Sequence, residues 1–217
     1  MHTETTPNPQ RLEFDLGLIA KAFDIEKRSE CEQLTEWMSA RYRLANMERI
    51  LLKELFVEAK EDADYWNEEE MKIKGVGELF RIAKVQEPNR VKVFYERPLK
   101  AQIGEYYLSV VADCMVATPH AFNTPEAPYF FLQEFKKRKG EKNDPEAQML
   151  QAMLIAREMN HDHKPIYGGF LIGSVWNFTI LIENQYCVSR NFSTTDFKDL
   201  QQVIFVLKKL KELILSR

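Results

Sequence analysis

The sequence lacks the features that would assign it at once to a secreted, membrane or zinc-finger class. Its three cysteines, Cys31, Cys114 and Cys187, are odd in number and too widely spaced for a zinc motif. They predict a reducing compartment rather than a disulfide framework. No run of 18 apolar residues is present, and the N-terminus MHTETTPNPQ has no apolar signal segment. We therefore expect a cytoplasmic protein that makes no membrane contact.

The sequence also lacks an excess of charge of one sign. Its 30 Lys and Arg residues face 33 Asp and Glu residues, which gives a net charge of −3. This balance argues against a protein that coats nucleic acid through bulk charge, so any such contact needs a local patch. The basic run Lys136-Lys137-Arg138-Lys139 would suit a phosphate backbone, although a solvated loop is the default interpretation of an isolated run.

Apolar residues are plentiful, at 45% of 217 residues, which is enough for one good core. Helical spacing predicts a short helix around Leu16–Phe23 and a long one from about residue 30 to 60. Strand-like runs follow at 91–103, 106–117 and 127–136, then a helix at 145–160 with Asp144 as N-cap. Further strands are predicted at 165–171, 175–182 and 185–190, and a last helix from near Ser193. The acidic stretch 61–75 is predicted to be a loop or a solvated helix rather than a metal site.

This order of elements predicts an α/β (α+β) domain with a mixed central sheet flanked by helices. We assign the domain to residues 30–217 and treat residues 1–29 as an N-terminal helical extension.

Three charged residues in the predicted strands suggest a site. Asp113 lies in the apolar run YLSVVADCMVA, where a buried carboxylate needs a cation or hydrogen bonds. Glu134 and Lys136 end the run FFLQEFK and share one face of the strand. Two carboxylates can bind Mg²⁺, and a lysine beside them can orient or deprotonate a metal-bound water. The pattern favours phosphodiester cleavage, and Glu105 replaces Asp113 if the strand register differs.

The pattern Asp113, then Glu134-Phe135-Lys136, then a helix with Gln148 and Gln151, resembles the PD-(D/E)XK nuclease superfamily. The order helix, three strands, helix, strand is also similar to that superfamily's core. The segment KPIYGGFLIGSVWNFTIL looks like the region after the nuclease core in the N-terminal nuclease domain of type I restriction motor subunits. The resemblance implies a restriction-endonuclease-like fold and a nuclease of DNA or RNA acting in restriction, defence or repair. Ala112 stands where the motif has proline.

The resemblance also implies roles for individual residues. Asp113 and Glu134 would bind Mg²⁺, with Mn²⁺ as an alternative, and Lys136 would assist catalysis. A glutamate on a preceding helix would complete the metal site, and we favour Glu48 over Glu54 and Glu58. Gln148 and Gln151 would position the metal site or the nucleic acid, although they could simply satisfy buried backbone groups.

A second hypothesis is a catalytically inactive module that keeps the nuclease fold. Such a module would bind nucleic acid or a protein partner, or form a homodimer. The acidic balance of the chain and its single short basic run favour this alternative, whereas the intact Asp…Glu-x-Lys pattern favours the nuclease.

Overall fold

Strands supply the frame of the structure. The computed structural model describes residues 9–136 and 144–217, and nine strands within these residues join in one sheet. Their bounds are β1 Gln10–Arg11, β2 Glu26–Arg28, β3 Lys92–Ile103, β4 Tyr106–Pro119, β5 Pro125–Lys136, β6 Ile166–Ile172, β7 Val175–Ile182, β8 Gln185–Val188 and β9 Phe192–Ser193. The runs of β-branched and aromatic residues predict the six longest of these strands to within two residues at either end.

The sheet is mixed. Strands β3, β4 and β5 pair antiparallel in that order, β5 pairs parallel with β6, and β6, β7 and β8 pair antiparallel. Helix α6, Pro145–Asn160, lies in the connection between β5 and β6, as two parallel neighbours require a crossover. Strands β1 and β2 pair parallel with β4 and β8, so the predicted N-terminal extension contributes two short strands to the sheet.

Helices cover both faces of the sheet. Besides α6, the described residues form α1 Leu16–Ala22, α2 Glu32–Met38, α3 Asn46–Asp62, α4 Glu68–Glu70, a π-helix Met71–Gly77, α5 Glu78–Ala83 and α7 Phe197–Leu215. Helices α1 and α6 pack in one hydrophobic cluster, and α2, α3, the π-helix, α5 and α7 pack in the other. Side chains of β5 alternate between them, since Leu132 joins the first cluster whereas Phe131 and Phe135 join the second.

The prediction of one long helix from residue 30 to 60 is wrong. Helix α2 ends at Met38, and α3 begins only at Asn46. The Gln202 side chain of α7 donates hydrogen bonds to the carbonyls of Met38 at 2.8 Å and Ala40 at 3.0 Å. The interruption is stabilised by this contact with a residue far away in sequence, which a helical spacing pattern does not contain.

Two other predictions from the sequence also differ from the structure. The last helix begins at Phe197 rather than near Ser193, because Asp196 is its N-cap and accepts a hydrogen bond from the backbone of Asp199 at 2.9 Å. The acidic stretch 61–75 is not simply solvated, since Met71 and Lys72 of the π-helix are buried.

Among the described residues, no helix combines the length and the apolar character needed to cross a bilayer.

Candidate metal and phosphate site

Asp113 and Glu134 lie next to each other on neighbouring strands. The β4–β5 ladder includes the pair Cys114 and Gln133, and the next residues in this register are Asp113 and Glu134. The backbone N–H of Phe135 donates a hydrogen bond to Asp113 Oδ2 at 2.8 Å. Lys136 follows two residues after Glu134 on β5. The structure therefore brings three of the predicted site residues to one end of the β4–β5 pair.

Glu134 is a buried carboxyl group that lacks a complete set of partners. Glu134 is only 1% exposed, and its Oε1 has no hydrogen-bond partner among the described residues. Burial raises the pKa of Glu134 well above its ordinary value, the charge of Asp113 raises it further, and Lys136 opposes the shift. A carboxylate in this position is unfavourable unless positive charge is supplied.

Asp113 is also a carboxyl group with a raised pKa, although it has a hydrogen-bond partner. Burial is the largest influence and raises the pKa of Asp113 above its ordinary value, although the hydrogen bond from Phe135 counteracts it. The charge of Glu96 raises this pKa, whereas Lys136 and Lys72 lower it. Two carboxyl groups with raised pKa values and an unpartnered buried oxygen are a donor set that a hard cation such as Mg²⁺ fits.

Glu96 is a third carboxylate in the same row, and the sequence prediction missed it. The β3–β4 ladder pairs Tyr95 with Cys114 and Arg97 with Ala112, and it skips the intervening pair, Glu96 and Asp113. The row across β3, β4 and β5 is therefore Glu96, Asp113, Glu134. A signal was present in the sequence, because counting back from the hairpin turn at Gly104 puts Glu96 opposite Asp113.

The segment formed by α4 and the π-helix borders this row with charges of both signs. Lys136 Nζ lies 3.4 Å from Glu68 Oε1. Lys72 Nζ donates to Glu69 Oε1 at 2.9 Å and also pairs with Glu96. The local sequence EEEMKIKG is typical of a solvated helix, so sequence analysis gave no reason to connect it with the site.

Gln148 and Gln151 lie on α6 at about the level of Glu134 along β5. Asn160, at the end of α6, exchanges two hydrogen bonds with the backbone of Tyr129, at 2.7 and 2.8 Å. Counted from this contact, Glu134 lies roughly 16 Å from Tyr129 along β5. On α6, the distances from Asn160 along the helix are roughly 14 Å to Gln151 and 18 Å to Gln148. Gln151 is buried, and its Nε2 and Gln148 Oε1 have no hydrogen-bond partner among the described residues.

Glu48 is not joined to this site by any contact within residues 9–136 and 144–217. Its Oε2 accepts the backbone N–H of Ala45 at 2.8 Å, and its Oε1 accepts from Lys208 Nζ at 2.7 Å. Burial alone would raise the pKa of Glu48, but the bonds from Lys208 and Ala45 hold it below its ordinary value. Oε2 therefore caps the start of α3, and Oε1 links α3 to α7.

Two further sequence-based suggestions can be located. Glu105 is exposed in the turn between β3 and β4, whereas Asp113 lies in the middle of β4, so Glu105 does not replace Asp113 in the row. Of the basic run 136–139, only Lys136 belongs to the described residues, and Lys137, Arg138 and Lys139 lie outside them.

No model of a known protein family matches this chain, and no curated protein matches its sequence significantly.

Within the described residues, no three Asp, Glu, His or Cys side chains are arranged as a ready metal site. The pair Asp113–Glu134 supplies two carboxyl groups, and the third carboxylate of the row, Glu96, is bonded to Lys72. The arrangement can hold a cation between carboxylates and present Lys136 to an anion beside it. That combination of charges suits a phosphate group bound through a metal ion.

Proposed function

We infer that the protein is a metal-dependent phosphodiesterase that cleaves DNA or RNA. The observation that carries this proposal is the buried Glu134, with one unpartnered carboxylate oxygen, beside Asp113 and two residues before Lys136. Burial raises the pKa values of both carboxyl groups, and perturbed carboxyl groups are enriched at functional sites.

The topology supports a restriction-endonuclease-like fold. The antiparallel strands β3, β4 and β5 are followed by α6 and by the parallel strand β6. This is the order that the resemblance to the PD-(D/E)XK superfamily implies. Asp113 and the Glu134–Lys136 pair occupy its second and third core strands, which are the strands that carry the superfamily's motif.

In the proposed reaction, Asp113 and Glu134 would hold Mg²⁺, or Mn²⁺ in its place. When bound, the metal lowers the pKa of a water molecule and stabilises negative charge on the phosphate. Lys136 lies two residues beyond Glu134 and would have to leave Glu68 to donate hydrogen bonds to the phosphate or the attacking water. Gln151 supplies a buried amide with an unpartnered N–H donor that can orient one of the carboxylates.

A second candidate is an inactive nuclease-fold module that binds nucleic acid or a protein partner, including a second copy of the chain. The pairing of Lys136 with Glu68 favours it, since a catalytic lysine held by a carboxylate is not free to act. The net charge of −3 also gives little general attraction for nucleic acid.

Cleavage assays distinguish the two candidates. We expect the purified protein with Mg²⁺ or Mn²⁺ to nick or degrade DNA or RNA, and Asp113→Asn, Glu134→Gln and Lys136→Met to slow cleavage about a hundredfold or more. Glu126→Gln and Lys100→Met are matched controls, because both residues are exposed on β5 and β3. Activity that survives all three site substitutions would show that Asp113, Glu134 and Lys136 do not form the site of cleavage. Nucleic-acid binding without cleavage would favour the inactive module.

A further inference from the structure

Lys72 is an unusual partner for a surface carboxylate. Its side chain is only 10% exposed, whereas those of Glu69 and Glu96, to which it is bonded, are 71% and 54% exposed. Lys72 lies in the π-helix Met71–Gly77, a conformation that is rare and often found at functional sites. The chain thus holds a largely buried lysine side chain at the edge of the carboxylate row.

The backbone of Glu96 is also unusual. Its φ is +51°, in the left-handed region that residues other than glycine seldom adopt within a strand. The β3–β4 ladder is interrupted at this residue, so Glu96 is free of the regular pairing that fixes its neighbours. Backbone strain of this kind persists only where surrounding contacts enforce it, and it is concentrated at functional sites.

The carboxylate row therefore has two members ready for a cation and one engaged elsewhere. Glu134 provides a buried oxygen without a partner, and Asp113 lies beside it. Glu96 occupies the third position of the row, but its Oε1 is bonded to Lys72. A metal ion bound to the first two residues would compete with the ammonium group for the third.

We propose that Glu96 is a further metal ligand and that Lys72 is a positioning residue that holds Glu96 while the metal is absent. This inference rests on the proposed metal site at Asp113 and Glu134. On metal binding, Glu96 exchanges the ammonium group of Lys72 for the metal ion, and Lys72 keeps its bond to Glu69. The Lys72–Glu96 pair thereby lowers the affinity for metal and keeps the row neutralised before metal enters.

The two partners of this one ion pair should then have opposite effects on metal affinity. Glu96→Gln removes a ligand and should weaken Mn²⁺ binding about tenfold or more, as loss of a metal-site group commonly does. Lys72→Met retains the apolar stem, releases Glu96 and should tighten Mn²⁺ binding by a similar factor. A purely structural ion pair would change the stability of the protein in one direction and leave metal affinity unchanged.

The double variant separates release of Glu96 from a simple change of charge. If Lys72 acts through Glu96, Lys72→Met should tighten Mn²⁺ binding strongly in the natural background and only weakly in the Glu96→Gln background. If it acts through space alone, the effect should be equal in both backgrounds. Lys74→Met is the matched control, because Lys74 lies in the same π-helix, its side chain is 40% exposed, and its carboxylate partners are Glu58 and Glu70 rather than Glu96.

The experiment is a calorimetric titration of the full chain with Mn²⁺, with thermal unfolding of each variant recorded first. Lys72→Gln replaces Lys72→Met if the latter does not fold. Unchanged affinity in Glu96→Gln, or equal effects of the lysine substitution in both backgrounds, would overturn the inference. Failure of the unsubstituted protein to bind Mn²⁺ would instead remove the metal site on which the proposed function depends.

Discussion

Phe135 donates its backbone N–H to the carboxylate of Asp113, with 2.8 Å between the nitrogen and Oδ2. This bond lies just past the Cys114–Gln133 pair, where the β4–β5 ladder ends. The Asp113 side chain therefore adds a hydrogen bond between the two strands beyond their backbone pairing. Phe135 is only 1% exposed, and water cannot replace the acceptor. Asp113 therefore has a structural role that must be separated from its proposed role as a metal ligand.

Substitutions at Asp113 should separate these roles. Asp113→Ala leaves the buried N–H of Phe135 without an acceptor, and we expect the free energy of unfolding to fall by about 1–3 kcal/mol. Asp113→Asn retains an acceptor oxygen and should keep most of the stability while weakening metal binding. Urea denaturation measures the first effect and calorimetry the second. Equal stability of the two variants would argue against the hydrogen bond.

Glu134 should make stability depend on pH in a defined direction. Its pKa in the folded protein is raised above its ordinary value of 4.5, mainly by burial and then by Asp113. Between these two pKa values the folded state binds more protons than the unfolded state, so stability falls as pH rises. Glu134→Gln removes this titration. In metal-free buffer, its stability advantage over the natural protein should be absent near pH 4 and should grow by up to about 1.4 kcal/mol per pH unit above that.

Unfolding midpoints measured from pH 4 to 8 test this expectation. The comparison is between the natural protein and Glu134→Gln at each pH, so the titration of groups that do not interact with Glu134 cancels. A constant difference across the range would mean that the Glu134 carboxyl group titrates normally in the folded state. Saturating Mn²⁺ should reduce the advantage of the glutamine, because the metal ion stabilises the carboxylate form.

Glu48 is expected to act on stability rather than on metal affinity. Glu48→Gln and Lys208→Met each break a pair with side chains 8% and 17% exposed, and each should cost about 1–3 kcal/mol. The pKa of Glu48 is lowered in the folded state, so its contribution is present at neutral pH and is lost as pH falls through that lowered value. A double-mutant cycle in urea measures the coupling. Weaker Mn²⁺ binding in Glu48→Gln would restore Glu48 as a metal ligand.

The sequence predicts the strands of this fold better than its helices. The β-rich runs lie between clear turn residues, and consecutive strands commonly pair, so the neighbourhood of Asp113 and Glu134 followed from order alone. The division between α2 and α3 could not be predicted from the local sequence, because it is stabilised by Gln202 from the other end of the chain. Sequence spacing records local preference, whereas this interruption depends on tertiary contacts.

The candidate site was predicted in the same partial way. Asp113, Glu134 and Lys136 are brought together because a hairpin-like order of strands imposes it. Glu96 could have been found from the register of the β3–β4 hairpin, since the turn at Gly104 fixes it. Lys72 could not be found from the sequence, because its burial arises from the tertiary packing of the π-helix, whereas its local sequence is that of a solvated helix.

Two buried glutamines should respond oppositely to apolar replacement. Gln133 is fully buried between the strand neighbours Leu132 and Glu134, and neither of its amide atoms has a hydrogen-bond partner among the described residues. A buried polar group without partners is unfavourable, so Gln133→Met, of similar size, should raise the free energy of unfolding by about 1 kcal/mol or more.

Gln202 is the matched comparison. It donates to the carbonyls of Met38 and Ala40 and accepts a hydrogen bond from Arg41 at 2.6 Å. Gln202→Met leaves these groups unpaired at the junction of α2 and α3 and should lower the free energy of unfolding by about 1–3 kcal/mol. Urea denaturation of both variants gives the two signs directly. A loss of stability in Gln133→Met as large as that in Gln202→Met would mean that the amide of Gln133 has polar partners, for example bound water, that stabilise it.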